Sequence, residues 1–226
     1  MPVMRGCIPS EEIVLLGAFQ RRGDVETSLP VRRRATGGTA VRIGPGTVWL
    51  QSEFTGIAPD KILNRAVRPV LDLLTRTSKK KVSYFGRDWL AALGRPVALV
   101  GFAYESKLDR GILDVFVSAR SLVSVREDRA SYRGKEPMIL DVDPEKLVES
   151  TDVFATFDVE DEPPWQATAE DPIGLVAAGR DRDGVMRIGG ELMGSSDVDH
   201  VAGDLDPALF GTSRETLLEV VRRARG

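Results

Sequence analysis

The sequence predicts an α+β fold, in which helices pack on a mainly antiparallel sheet and a small strand–strand–helix unit closes the chain. Three observations carry that expectation. Apolar runs of strand length are joined by hairpin-like turns, one long stretch repeats apolar residues at helical spacing, and two further strand-like runs precede a final amphipathic segment.

Taken in order, Ile13–Phe19 is an apolar run of strand length. Val31–Leu50 then reads as a glycine loop at Gly37-Gly38, a strand from Ala40-Val41, a tight turn at Gly44-Pro45-Gly46 and a second strand. Pro59-Asp60 suits the first turn of a helix, in which Ile62, Leu63, Ala66, Val67, Val70, Leu71 and Leu74 form one stripe. Pro69 lies inside that stripe and is expected to kink or break it. Lys79-Lys80-Lys81 reads as a solvated turn.

Val82–Phe85, Val97–Tyr104 and Ile112–Val117 read as three strands with short polar turns, the pattern of an antiparallel sheet. Gly94-Arg95-Pro96 is placed in the first of those turns. Residues 120–137 read as an irregular insertion, and a short helix is expected near Asp143–Glu149 with Pro144 in its first turn. From Leu147 to Gly179 there are eight acidic residues and no Lys or Arg, the composition of a linker or an acidic surface strand. Ile173–Ala178 and Val185–Met193 flank the turn Asp181–Gly184, and Thr212 with Glu215 forms a capping box for the last helix. The expected division is a core over 1–155, an acidic linker over 156–172 and a small unit over 173–226.

Composition excludes several functions. A net charge of −3 gives no global attraction to nucleic acid, and no apolar run reaches the ~18 residues of a membrane helix. The expectation is therefore neither a nucleic-acid nor a membrane partner. The first ten residues do not read as a signal peptide, and a single cysteine, Cys7, fits a reducing compartment, so the expected location is cytoplasmic. One cysteine and one histidine cannot build a His/Cys zinc centre, and no metal site is expected. His200 sits among Asp197, Asp199 and Asp204 and reads as a solvated surface histidine.

The segment most suggestive of chemistry is Arg33-Arg34-Ala35-Thr36-Gly37-Gly38-Thr39-Ala40-Val41. Paired glycines between strands let backbone approach a ligand closely, and adjacent arginines and loop amides suit a carboxylate or phosphate. A tight sheet corner with exposed arginines accounts for the same residues. The stretch is similar to the RRx[ST]GGGAV signature of the lipoate–protein ligases and octanoyltransferases, relatives of the biotin ligases. Thr39 stands where that signature has its third glycine, and Arg42-Ile43 where it often has a histidine. Gly86-Arg87-Asp88 resembles the family's GRN or GRD. Ala98–Tyr104 resembles its KxxGxAx motif, with Gly101, Ala103 and Tyr104 aligned without a gap. The family's catalytic lysine falls on Ala98. Leu113-Asp114 takes the place of a histidine pair, and Ile188–Leu192 is an imperfect copy of the accessory domain's I-x-GDF strand.

The resemblance implies a catalytic core of the biotin and lipoate ligase type. It places ligand contacts at Arg33, Arg34, Thr36, Gly37, Gly38, Thr39, Asp88, Gly101, Ala103 and Tyr104. It leaves no catalytic residue, because alanine cannot supply the positive charge that lysine places between an acyl carboxylate and the α-phosphate of ATP. Two readings stay open. One is a non-catalytic relative that binds a lipoyl or acyl ligand, a nucleotide or a partner protein. The other is an active ligase or acyltransferase on a lipoyl domain, using ATP with Mg and lipoate or octanoate. A variant of the second has another chain supplying the missing charge.

Overall fold

The computed structural model describes residues 4–18, 20–57, 61–84, 89–105, 109–125, 136–148, 165–171, 174–180, 184–190, 193–197 and 214–226. The α+β expectation holds. Strands β1 (Met4–Cys7), β5 (Thr47–Thr55), β9 (Arg110–Ser118), β8 (Arg95–Glu105), β7 (Trp89–Ala92) and β6 (Val82–Tyr84) form a six-stranded antiparallel sheet in that spatial order. A four-stranded sheet runs β10 (Ser124–Val125), β4 (Val41–Ile43), β2 (Ile13–Leu16), β3 (Val31–Arg33), with β2 and β3 parallel. A third sheet is the antiparallel meander β11 (Ala167–Asp171), β12 (Gly174–Arg180), β13 (Met186–Gly190), β14 (Met193–Asp197). Helix α1 spans Ile62–Ser78, α2 Pro144–Leu147 and α3 Arg214–Arg225.

The alternation of side chains decides how the large sheet is used. Val48, Val117, Ala98 and Leu90 are successive cross-strand partners, and all four belong to one apolar cluster. That cluster also takes Ala66, Val67, Val70 and Leu74 of α1, and Leu217, Val220, Val221 and Ala224 of α3. The next row, Trp49, Phe116, Leu99 and Trp89, points to the other face and packs with Leu15, Val41 and Ile43 of the small sheet. Each fully buried Val, Leu or Phe in these layers contributes roughly 1.5–3 kcal/mol. The sheet is thus covered on both faces, and its strands read as continuous apolar runs for that reason.

Three local features of helix α1 and the β7–β8 hairpin differ from expectation. Helix α1 runs without interruption through Pro69. The proline removes the hydrogen bond to the Arg65 carbonyl, but it is only half-buried, so water can meet that oxygen. The turn between β7 and β8 is Leu93-Gly94, both at positive φ (53° and 76°), so Arg95 and Pro96 already belong to the strand. A two-residue hairpin loop needs left-handed residues, which a leucine does not advertise. Val97 is an extra residue in β8, since Leu90 faces Ala98 while Ala91 faces Pro96. Of the stretch read as a linker or an acidic surface strand, Ala167–Asp171 is a strand, β11, paired along its length with β12.

The N-terminal strand β1 was not expected. Ser124–Val125, placed in the irregular insertion, pairs with β4. Phe19, Pro59, Asp60, Phe85, the segment 126–135, His200 and Thr212 lie outside the described residues. Among those described, no helix is long and apolar enough to cross a membrane.

Candidate functional site

The glycine loop connects β3 to β4 and lies against β8. The Gly37 N–H donates to the Phe102 carbonyl at 2.8 Å, which seats the loop on the strand like an extra ladder bond. Close approach is possible because Gly101 lies opposite. A Cβ on Gly101 would stand 2.7 Å from the Gly37 oxygen and 2.8 Å from Thr36 Oγ1. Gly17 is equally constrained, since its Cβ would meet the Gly38 oxygen at 1.9 Å. We expect Gly101→Ala to cost roughly 1–3 kcal/mol by displacing backbone rather than a flexible side chain. Urea denaturation should show that loss, and an unchanged midpoint would mean the loop is not seated as described.

Arg34 is 2% exposed and turned inward. Its Nε donates to Thr36 Oγ1 (3.1 Å), one terminal nitrogen to the Leu15 carbonyl (2.9 Å), and the other to the Gly37 and Thr39 carbonyls (2.8 Å each). Its guanidinium also lies over the Phe116 ring, 5.3 Å from the centroid. Arg33 is buried as well and donates to the Gln20 carbonyl at 3.0 Å. Arg33 and Arg34 are thus buried beside the loop rather than exposed at a corner. The loop curls back on itself, and its many carbonyls draw the guanidinium in.

The counter-charge is Asp114, wholly buried in β9 and paired in register with Gly101. Thr36 Oγ1 donates to Oδ2 at 2.6 Å, while Trp49 Nε1 and Gln51 Nε2 donate to Oδ1 at 2.8 and 3.0 Å. Burial pushes this carboxyl above the usual carboxylate range. The hydrogen bonds from Thr36, Trp49 and Gln51 and the Arg34 charge act in the opposite direction. The same burial, with the Asp114 charge second, pushes the Cys7 thiol up to about 11, so Cys7 is an unreactive thiol near neutrality. Asp114, Trp49, Gln51 and Gln20 were missed as site residues. A lone aspartate inside the apolar run Ile112–Val117 was the available signal, because a buried charge requires partners.

The structure brings Arg34, Thr36, Gly37, Thr39 and Gly101 together around Asp114. Thr39 is buried, and its hydroxyl has no hydrogen-bond partner among the described residues. The face continues into the half-buried Gln51, Glu53, Ala103 and Ile112, with Glu53 paired to Arg110. Arg5, exposed on the edge strand, is the register partner of Gln51. Tyr104 belongs to the opposite face, stacked on Phe54 at 6.4 Å with its hydroxyl donating to Asp109 at 3.1 Å. Ala98 is also on that opposite face, 3% exposed among valines and leucines. Asp88 lies outside the described residues.

No family model and no curated protein matches the chain. Solved structures do. The chain superposes on a bi-partite lipoate protein ligase from Thermoplasma acidophilum, studied with its E2 lipoyl domain, with a TM-score of 0.51 at 12% identity over 65% of this chain. It superposes equally well, at TM-score 0.51 and 12% identity, on LipL1 of P. falciparum in complex with lipoate, over 82% of this chain and 70% of that one. The fold is lipoate ligase-like. The match spans 66% of the Thermoplasma chain, just under two thirds of its length.

Two donors expected to hold a phosphate or carboxylate, Arg34 and the Gly37 amide, are both bonded within the chain. Among the described residues no group of three or more His, Cys, Asp or Glu could hold a metal ion.

Proposed function

We propose that this chain is a non-catalytic lipoate ligase-like protein that recognises a protein partner, a lipoyl-type domain, on the face around Gln51, Ala103 and Ile112. The observation that carries this reading is that neither of the two positions the chemistry would need aims a charge at the loop face. Position 98 faces the apolar core, and the Arg34 guanidinium is spent on loop carbonyls. Transition-state stabilisation of acyl-adenylate formation requires a cation aimed at the developing charge, and each such donor contributes about 3–4 kcal/mol. What remains is a half-buried surface of mixed character, Ala103 and Ile112 beside Gln51 and Glu53, next to the loop, which suits a protein surface better than a nucleotide.

The experiment pairs activity with binding. ATP–pyrophosphate exchange with lipoate and with octanoate, and transfer to an apo lipoyl domain, should both be absent, while calorimetry with the apo domain should show a complex. Exchange by the chain alone overturns the reading, and so does the absence of any complex. A second reading is an active ligase or octanoyltransferase completed by another chain. The bi-partite make-up of the Thermoplasma ligase favours considering it. It predicts exchange, dependent on ATP with Mg and an acyl substrate, that appears only when a second subunit is added.

A further inference from the structure

The exposed side of α1 carries a feature unrelated to the glycine loop, on the opposite face of the large sheet. Lys61, Asn64, Arg65, Arg68, Leu71 and Tyr84 line a cleft of about 390 Å³. Three of these are cations on one side of a helix, spaced over roughly 10 Å at 1.5 Å per residue. All three are exposed, and none forms an ion pair or hydrogen bond within the described structure. The helix contains a single carboxylate, Asp72, one turn beyond Arg68, against Arg65, Arg68 and Arg76.

The charges are also placed against local preference. The first turn of α1 holds no acidic residue, and its N-cap, Lys61, makes no capping hydrogen bond. Positive side chains near a helix N-terminus oppose the macrodipole by roughly 0.3–1 kcal/mol each. A concave site where no described carboxylate relieves that repulsion gains from any anion that enters it, because helix end and side chains then both attract the ligand.

We infer that this cleft binds a small phosphate-bearing anion of two or more charges. The Arg65 and Arg68 guanidinium groups would supply paired donors to phosphate oxygens, and Lys61 a point charge. The Asn64 amide and Tyr84, on the cleft wall, would select oxygen-rich ligands over simple halides. A cleft of this volume takes a diphosphate or a phosphorylated metabolite but not a folded domain. The binding is independent of the lipoyl-domain reading, since it uses none of the same residues.

The test titrates the full chain with inorganic pyrophosphate by calorimetry at low and moderate salt, alongside orthophosphate and chloride. Three preparations are compared: wild type, Arg65→Gln/Arg68→Gln, and a charge-matched control, Lys146→Gln/Arg222→Gln, which alters exposed cations elsewhere. Glutamine keeps helix propensity, and thermal melting by circular dichroism confirms that each is folded. Saturable pyrophosphate binding should weaken by about tenfold or more in the cleft variant, the loss of at least one charge-assisted bond, and stay unchanged in the control. No saturable binding, an equal loss in the control, or equal binding of chloride overturns the inference. Co-sedimentation with phosphatidylinositol-phosphate vesicles without binding of free pyrophosphate also overturns it, by assigning the cleft to a membrane surface.

Discussion

Ala98→Lys is expected to unfold much of the population rather than to create a ligase. In this structure position 98 lies in the row Val48, Val117, Leu90, sealed by apolar neighbours. A lysine forced there is driven neutral, and deprotonating it at pH 7 from an ordinary value of ~10.4 costs about 4–5 kcal/mol. Overpacking adds roughly 1–3 kcal/mol. The sum rivals the whole stability of an ordinary domain, about 5–15 kcal/mol. The sign of the pH dependence is diagnostic. The folded-state value of such a lysine is depressed, so the penalty is full in acid, shrinks as pH rises through that value, and is gone above the unfolded value near ~10.4. Urea midpoints from neutral to alkaline pH would show the variant rising toward wild type until only the overpacking loss remains. Ala98→Met, which adds volume without charge, should show only the overpacking loss at every pH. If Ala98→Lys were as stable as wild type and gained pyrophosphate exchange, the side chain would have to reach the loop face, and the placement of β8 described here would be wrong.

The same residue shows where sequence reading reached and where it stopped. Four strands of the large sheet, β5, β6, β8 and β9, were legible because each is an apolar run bounded by turn residues, and α1 was legible because its stripe repeats at helical spacing. The glycine loop was legible as a place where backbone approaches a ligand closely; the close approach the structure shows is to Gly101 of β8. The side of the sheet on which Ala98 lies was not legible. Parity along β8 depends on a bulge at Val97 and on a hairpin turn made by Leu93, and neither has a sequence signature strong enough to count residues across. The direction of Arg34 was not legible for a different reason. Two adjacent arginines beside glycines suit an anion site, but what claims the guanidinium is a set of main-chain carbonyls at Leu15, Gly37 and Thr39, brought together only by the crossover between β2 and β3. Asp114 was visible as an anomaly without its meaning. A charge in an apolar strand must be answered, but its partners Thr36, Trp49 and Gln51 come from two other elements that only the fold assembles.

Arg34 and Asp114 should therefore behave as one unit whose loss is felt as stability. Arg34→Met removes four donors from buried acceptors and leaves Asp114 without its nearby positive charge, and Asp114→Ala leaves Thr36, Trp49 and Gln51 unanswered around an unbalanced guanidinium. Each buried polar group left without its partner costs about 1–3 kcal/mol, more where a charged group is involved, and several are stranded at once, so each single variant should lie near the edge of folding. Arg34→Met combined with Asp114→Asn should be less damaging than the separate losses added together, by roughly 1–3 kcal/mol, because the second change removes the charge the first left stranded. The pH profile separates this coupling from simple loss of packing. The carboxyl of Asp114 is raised in the folded state, so the native protein holds a proton that the unfolded chain releases. Its contribution is complete below the unfolded value near ~4 and declines as pH rises through the folded value. Asp114→Asn cannot titrate and should lose that slope, so its deficit relative to wild type should be largest in acid and narrow toward neutral pH. A ligand-binding arginine would behave otherwise. Its replacement would weaken binding at constant stability, and that result for Arg34→Met would return Arg34 to the surface of the site and remove the main physical support for a non-catalytic loop.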